Sequence, residues 1–156
     1  MKTLLNVDKS ILKDYSSFEM VNDKWDIGAY LNTFYDLNAA IAFSKLFYPD
    51  FVETRGCVII SMRYDRENFE SWYNECQGEI SEIEKMCNLY EIKDLFHINP
   101  VEFNIEEGYS RAINILGDIL KKSWDINLKL LYPDKRFNVD VFEEYDSTYI
   151  TLYSIK

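Results

Sequence analysis

The chain has 156 residues, a formal net charge of −10 and an aromatic content of 16%. So acidic a protein lacks the positive surface that phosphate backbones require, so no nucleic-acid partner is expected. This many Tyr, Phe and Trp side chains exclude disorder, and the length suffices for a buried core.

With only 3 Pro and 5 Gly and no Ser/Gly-rich linker, the composition marks no boundary, and one globular domain over 1–156 is expected. Met1 to Asp26 has no basic, apolar signal-peptide pattern, and no apolar run approaches a membrane span. A cytoplasmic protein with no membrane partner follows as the expectation. Thr3 to Val7 could add a short edge strand. Tyr30, Leu31, Phe34, Leu37, Ile41 and Tyr48 recur at helical spacing and predict a helix over 30–47, ended by Pro49.

Cys57 to Met62 is a nearly continuous apolar run, suited to a central strand covered on both faces. Phe69, Trp72, Tyr73, Cys76, Ile80, Ile83, Cys87 and Tyr90 then return to helical spacing over 67–95. Asp65 fits an N-cap there, and Gly78 could divide the segment into two helices. Phe96 to Phe103, with Pro100 inside it, reads as a loop.

Glu107 to Leu131 carries the strongest pattern. Tyr109, Ala112, Ile113, Leu116, Leu120, Trp124, Leu128 and Leu131 share one helical stripe, which Ile115, Ile119, Ile126 and Leu130 widen. Pro133 ends the helix by pushing Tyr132 out of helical geometry. Phe137, Val139 and Val141 then alternate with polar residues as in a half-buried strand. Glu143 to Ser147 reads as a turn, and Thr148 to Ile155, rich in β-branched and aromatic residues, as the second strand of a hairpin. The fold class is therefore α+β. We expect a small, mostly antiparallel sheet from strands near 57–62, 137–142 and 148–155, covered by three or four helices.

Lys45-Leu46-Phe47-Tyr48-Pro49-Asp50 matches Lys129-Leu130-Leu131-Tyr132-Pro133-Asp134 at five of six positions. In both places a helical pattern precedes the motif and a strand pattern follows, 57–62 in one and 137–141 in the other. Tyr64-Asp65 and Tyr145-Asp146 close the two strands alike. The pattern suggests a duplicated helix–turn–strand unit, although Pro and Asp favour such a stop wherever they occur.

Recognisable chemistry is sparse. His97, the only histidine, stands between Phe96 and Ile98. Triads and most metal sites need an imidazole beside specific partners, and a lone histidine among apolar neighbours is more often structural than a general base. There is no glycine-rich phosphate loop, since Gly108 and Gly117 stand alone, and no zinc or calcium motif, so neither a cofactor nor a metal is expected. Cys57, Cys76 and Cys87 fall on apolar faces without metal-ligand spacing and read as reduced core residues. Glu143, Glu144 and Asp146 cluster in the hairpin turn. They keep a carboxylate-dependent enzyme open as an alternative, although an acid pair needs a cleft and a set separation.

The charge layout is more specific. From Glu67 to Glu107 eleven acids face only Lys85 and Lys93, so this stretch carries −9 of the total −10. Glu70, Glu75, Glu79, Glu82, Glu84 and Glu91 are the candidate partner-binding residues. Such a surface speeds capture of a basic protein and favours it over other partners. The bland reading of the same residues is a solvated face that confers solubility.

Leu116-Gly117-Asp118-Ile119-Leu120, Trp124, Lys129, Tyr132-Pro133-Asp134-Lys135-Arg136-Phe137 and Ile150-Thr151-Leu152-Tyr153 together resemble a recurring segment of small bacterial proteins, some of which are similar to immunity factors. Such factors block a secreted toxin by direct binding. The resemblance covers the last third of the chain and assigns no functional residue. The resemblance implies an inhibitor that works by occlusion rather than as an enzyme, while the basic character of its partner, such as a nuclease toxin, rests on the charge layout alone. A homodimeric or larger scaffold protein, using the surplus aromatics as its interface, is the alternative from a different class.

Overall fold

The computed structural model describes residues 2–96 and 106–155. Helices alternate with short antiparallel sheets, so the fold is α+β as expected. The residues group into two compact units, Met1–Ser44 and Lys45–Lys156. Composition could not mark this division because it falls inside a helix rather than in a linker.

In the first unit a 3₁₀ turn, Lys9–Ile11, precedes helices α1 (Tyr15–Val21) and α2 (Ile27–Phe34). Asp26 caps α2 by accepting from the Ala29 amide at 3.1 Å. The core is a cluster of rings: Tyr15, Phe18 and Tyr30 are buried, with Tyr30 edge-on to Tyr15 at 5.1 Å and to Phe18 at 5.6 Å. Thr3 to Val7 form no strand. The single helix expected over 30–47 is broken: Tyr35 is extended, and Asp36 caps a new helix, α3 (Leu37–Phe47), by accepting from the Ala39 amide at 2.8 Å. Leu31, Phe34, Leu37 and Ile41, which share the predicted stripe with buried Tyr30, are exposed. Helical spacing shows which residues share a face but not what that face meets.

In the second unit β1 (Phe51–Thr54) and β2 (Cys57–Ile60) form an antiparallel hairpin. Strand β1 was not anticipated. Its turn, Arg55-Gly56, takes positive φ at both residues (47° and 85°), the twist a two-residue hairpin needs. All four β2 residues are buried, on both faces as expected. Val58 and Ile60 join Leu120, Trp124, Leu128, Val139, Ile150 and Leu152, while Cys57 and Ile59 join Phe69, Ile83 and Cys87. The strand ends at Ile60, and Ser61–Arg63 form a 3₁₀ turn.

The 67–95 segment divides near Gly78 as predicted, into α4 (Arg66–Glu75) and α5 (Ile80–Cys87). Asp65 is the N-cap of α4, accepting from the Asn68 amide at 2.8 Å. Tyr90 is not helical: it belongs to β3 (Tyr90–Glu91), followed by the 3₁₀ turn Ile92–Phe96. The loop predicted from Phe96 lies, past its first residue, outside the described residues.

Helix α6 (Glu106–Leu131) leads into β4 (Arg136–Glu144) and β5 (Ser147–Ile155). Leu120, Trp124 and Leu128 are buried, Leu116 is half-buried, and Leu130 and Leu131 at the helix end are exposed. Gly117 permits close approach: a Cβ there would lie 3.0 Å from Ile92 Cδ1 and 3.1 Å from Val141 Cγ1. The helix also holds the first Tyr-Pro-Asp turn, with Trp124 Nε1 donating to the Leu46 carbonyl and Asn127 Nδ2 to the Pro49 carbonyl, both at 2.9 Å.

Both Tyr-Pro-Asp turns connect a helix to an antiparallel hairpin. The strand after the first motif is β1, however, not 57–62. Tyr145-Asp146 forms the β4–β5 turn with positive φ at both residues, whereas Tyr64-Asp65 leads into α4. The counterpart of Tyr145-Asp146 is Arg55-Gly56.

The expected single sheet is in fact two, β1–β2 and β3–β5–β4. Two side chains from α5 and its C-cap take the place of a ladder between β2 and β5. Glu84 accepts from the Val58 amide at 2.8 Å, the Ser154 amide at 2.5 Å and the Ser154 hydroxyl at 2.7 Å. Asn88 accepts from the Ile60 amide at 2.8 Å and donates to the carbonyls of Val58 at 3.0 Å and Leu152 at 3.2 Å. Backbone groups that would otherwise be buried unpaired are satisfied by this clamp.

Candidate functional site

The acidic surface is built on α4, α5 and the turn between them. Helix α4 stops at Glu75, and Gln77 and Gly78 take positive φ (52° and 77°) before α5 starts. Glu79 is the N-cap residue of α5 and Glu82 sits in its first turn, where the helix dipole favours a negative charge. Glu75 lies at the opposite kind of end, where the dipole disfavours it. Glu75, Glu79 and Glu82 are all exposed. Burial pushes the half-buried Cys76 thiol up, and the charges of Glu75 and Glu82 push it further.

The six predicted docking residues separate into three groups. Glu75, Glu79 and Glu82 form the exposed set, with Glu82 paired to Lys85 at 2.6 Å. Glu70 is half-buried and paired with Arg55 at 3.0 Å, while the Arg55 guanidinium lies over the Tyr73 ring at 4.6 Å. Glu91 is drawn aside to Lys93 at 2.5 Å, and hydrogen bonds from Lys93 first and Ser147 second hold its carboxyl below the usual carboxylate range. Glu84 is not on the surface at all. It is fully buried in the clamp between β2 and β5, so its assignment to a docking face is corrected. A count of charges cannot distinguish a carboxylate that meets solvent from one that accepts buried amides. Of the remaining acids in the −9 stretch, Glu102 lies outside the described residues.

The hairpin-turn acids have different surroundings. Glu143 and Asp146 line a cavity of about 360 Å³ together with Lys93, Asn114, Ser147 and Thr148. Asn114 donates to Glu143 at 3.3 Å and accepts from the Thr148 hydroxyl at 3.1 Å, while Lys93 reaches Ser147 at 3.1 Å. Lys93, Asn114, Glu143, Ser147 and Thr148 are thus engaged in hydrogen bonds among themselves. Glu144 is exposed.

Cys57 and Cys87 are buried, and burial pushes both thiols up to about 11, which keeps them protonated and unreactive at neutral pH. Among the described residues no three His, Cys, Asp or Glu side chains are grouped to hold a metal ion, and no helix is long and apolar enough to cross a membrane. His97 lies outside the described residues.

Sequence reasoning missed the partners of these groups more than the groups themselves. The Glu84–Asn88 spacing of four residues was visible as one helical face, but only the open edges of β2 and β5 give it meaning. The Arg55–Glu70 pair had no local signal. Comparison of the chain with protein-family models, curated proteins and solved structures gives no match.

Proposed function

We propose that the protein is an inhibitor or immunity-type protein that neutralises a basic partner, such as a toxin, by binding it through the α4–α5 surface. The observation that carries this reading is the exposure of Glu75, Glu79 and Glu82 across a single turn, where Lys85 pairs with Glu82. Glu75 at the C-terminus of α4 contributes nothing favourable to that helix, and a basic partner would give its charge a use. The surface acts on encounter: a basic partner is drawn in, and occlusion rather than chemistry blocks it.

The test uses a basic candidate partner, such as a basic protein found encoded by a neighbouring gene, with association kinetics measured against salt. Wild type should associate fast at low salt and slow steeply as salt rises, because separations beyond about 8 Å are screened at physiological ionic strength. Replacing Glu75, Glu79 and Glu82 together by Gln should lower the association rate more than it raises the dissociation rate, with circular dichroism unchanged. Salt-independent association, equal in both proteins, would leave the acids as a solubility face. In the same assay Glu143→Gln, Glu144→Gln and Asp146→Asn combined should leave neutralisation intact. Its loss with binding unchanged would favour a carboxylate enzyme acting at the hairpin turn.

A further inference from the structure

One cation already sits on the α4–α5 surface. Arg55, in the β1–β2 turn, pairs with Glu70 at 3.0 Å while its guanidinium lies 4.6 Å from the centre of the Tyr73 ring. Glu70 and Tyr73 are three residues apart in α4, so they share one face and form a cradle of a carboxylate and an aromatic plate. A Cβ built at Gly56 would lie 3.1 Å from Ile80 Cδ1, so the same turn also rests on the start of α5. The hairpin itself gives no reason for an arginine here. Position 55 takes a φ of 47°, where a two-residue turn favours Asn or Gly. The pair is open to water, with 48% of the Arg55 side chain and 38% of the Glu70 side chain exposed, and such pairs are weak enough to exchange.

With α4 and α5 as the docking surface proposed above, we infer that Arg55 is an autoinhibitory contact: it holds in cis the Glu70–Tyr73 cradle that an arginine of the basic partner takes on docking. In the unbound protein Arg55 neutralises Glu70 and covers Tyr73, so a stray cation meets an occupied site. An incoming arginine reproduces both contacts, because its planar guanidinium stacks on the ring and bonds the carboxylate at once. A lysine ammonium, compact and strongly hydrated, replaces them poorly. Exchanging one guanidinium for another gives little affinity by itself. It succeeds for a partner that exposed Glu75, Glu79 and Glu82 already hold nearby, since this raises the effective concentration of the partner's arginine at the cradle. The acids attract, and the cradle selects.

The probes are oligoarginine and oligolysine peptides of equal length, titrated calorimetrically at low salt into the full chain. Arg55→Asn empties the cradle and suits the turn, so circular dichroism should not change. The variant should bind oligoarginine roughly tenfold more tightly than wild type does, the size of one cation–π contact with a carboxylate beside it. Oligolysine should gain at most about twofold, from the loss of one positive charge. Adding Glu70→Gln restores the wild-type net charge and removes the carboxylate, and should bring oligoarginine back to its wild-type affinity. An unchanged affinity of Arg55→Asn for oligoarginine, an equal gain for both peptides, or a gain that survives Glu70→Gln would overturn the proposal. The docking surface is read separately, in the Arg55→Asn background. There Glu75→Gln, Glu79→Gln and Glu82→Gln combined should weaken both peptides alike. Indifference to those three substitutions would strike the docking surface and leave the arginine preference of the cradle in place.

Discussion

The two compact units treat their apolar residues in opposite ways. In Lys45–Lys156, all of β2 is buried together with Leu120, Trp124, Leu128, Val139, Ile150 and Leu152 of α6, β4 and β5, and buried Glu84 is held by hydrogen bonds. In Met1–Ser44, three rings form the core while Met20, Val21, Leu31, Phe34, Leu37 and Ile41 remain exposed. The difference is one of supply. A long helix and two hairpins bring apolar faces together from distant parts of the chain, whereas three short helices in a 44-residue unit offer each other little to cover. Apolar periodicity therefore describes a face, and only the partner decides whether that face becomes core or interface.

The largest effect should come from the centre of the second unit. Trp124 is fully buried, and its Nε1 holds the Leu46 carbonyl. Trp124→Ala should cost about 3–5 kcal/mol in urea unfolding, the usual loss for a large buried aromatic. A loss below about 1 kcal/mol would mean that the second unit is held as loosely as the first, and the contrast would fail.

Polar burial sharpens the contrast further. Glu84→Ala leaves the Val58 and Ser154 amides without acceptors in a closed interior. An orphaned buried donor costs about 1–3 kcal/mol, so a total loss of about 2–3 kcal/mol is expected, allowing for water entering the vacated space. Glu84→Gln keeps one acceptor oxygen but turns an NH₂ toward a donor, and should lose about half as much. Equal stability of all three proteins would show that β2 and β5 are joined by packing alone.

These two residues also mark what could be read without coordinates. Helix α6 with Trp124 at its centre, the Asp65 cap, the division near Gly78 and the C-terminal hairpin were legible, because each depends on a local period, a cap or a stop. The role of Glu84 was not. The donors it accepts from lie 26 and 70 residues away in sequence, and its neighbours Glu82 and Lys85 make the segment look like an ordinary charged surface. The break at Tyr35-Asp36 was hidden because Asp36 caps the next helix without Pro or Gly to announce it. On the acidic surface Glu75, Glu79 and Glu82 were placed correctly as exposed, and Glu91 was not, since Ser147 and Lys93 reach it only in the folded chain.

The smallest effect belongs to the first unit and turns on one hydroxyl. Tyr30 is buried among Tyr15 and Phe18, and its hydroxyl donates to the Lys13 carbonyl at 2.6 Å. Tyr30→Phe keeps the ring and removes that bond. Lys13 is an exposed residue, so water satisfies its carbonyl in the variant, and the loss should be only about 1 kcal/mol. The cost should depend on pH in a definite direction. Burial first, and the neighbouring Tyr35 hydroxyl second, push the Tyr30 phenol up from 10 to about 12. A folded-state value above the unfolded one contributes stability that is complete below pH 10 and is lost as pH rises through about 12. The Phe variant has no such group to lose, so its deficit should narrow above pH 10, close, and reverse before the pH reaches about 12. Trp25 stacks on Phe18 at 4.7 Å within the same cluster, so the ¹⁹F resonance of 5-fluorotryptophan at Trp25 reports the unfolding of this unit apart from Trp72 and Trp124. A deficit that stays constant through this range would show that the Tyr30 hydroxyl meets water in the folded protein. The three-ring cluster would then be as open to solvent as the helix faces around it.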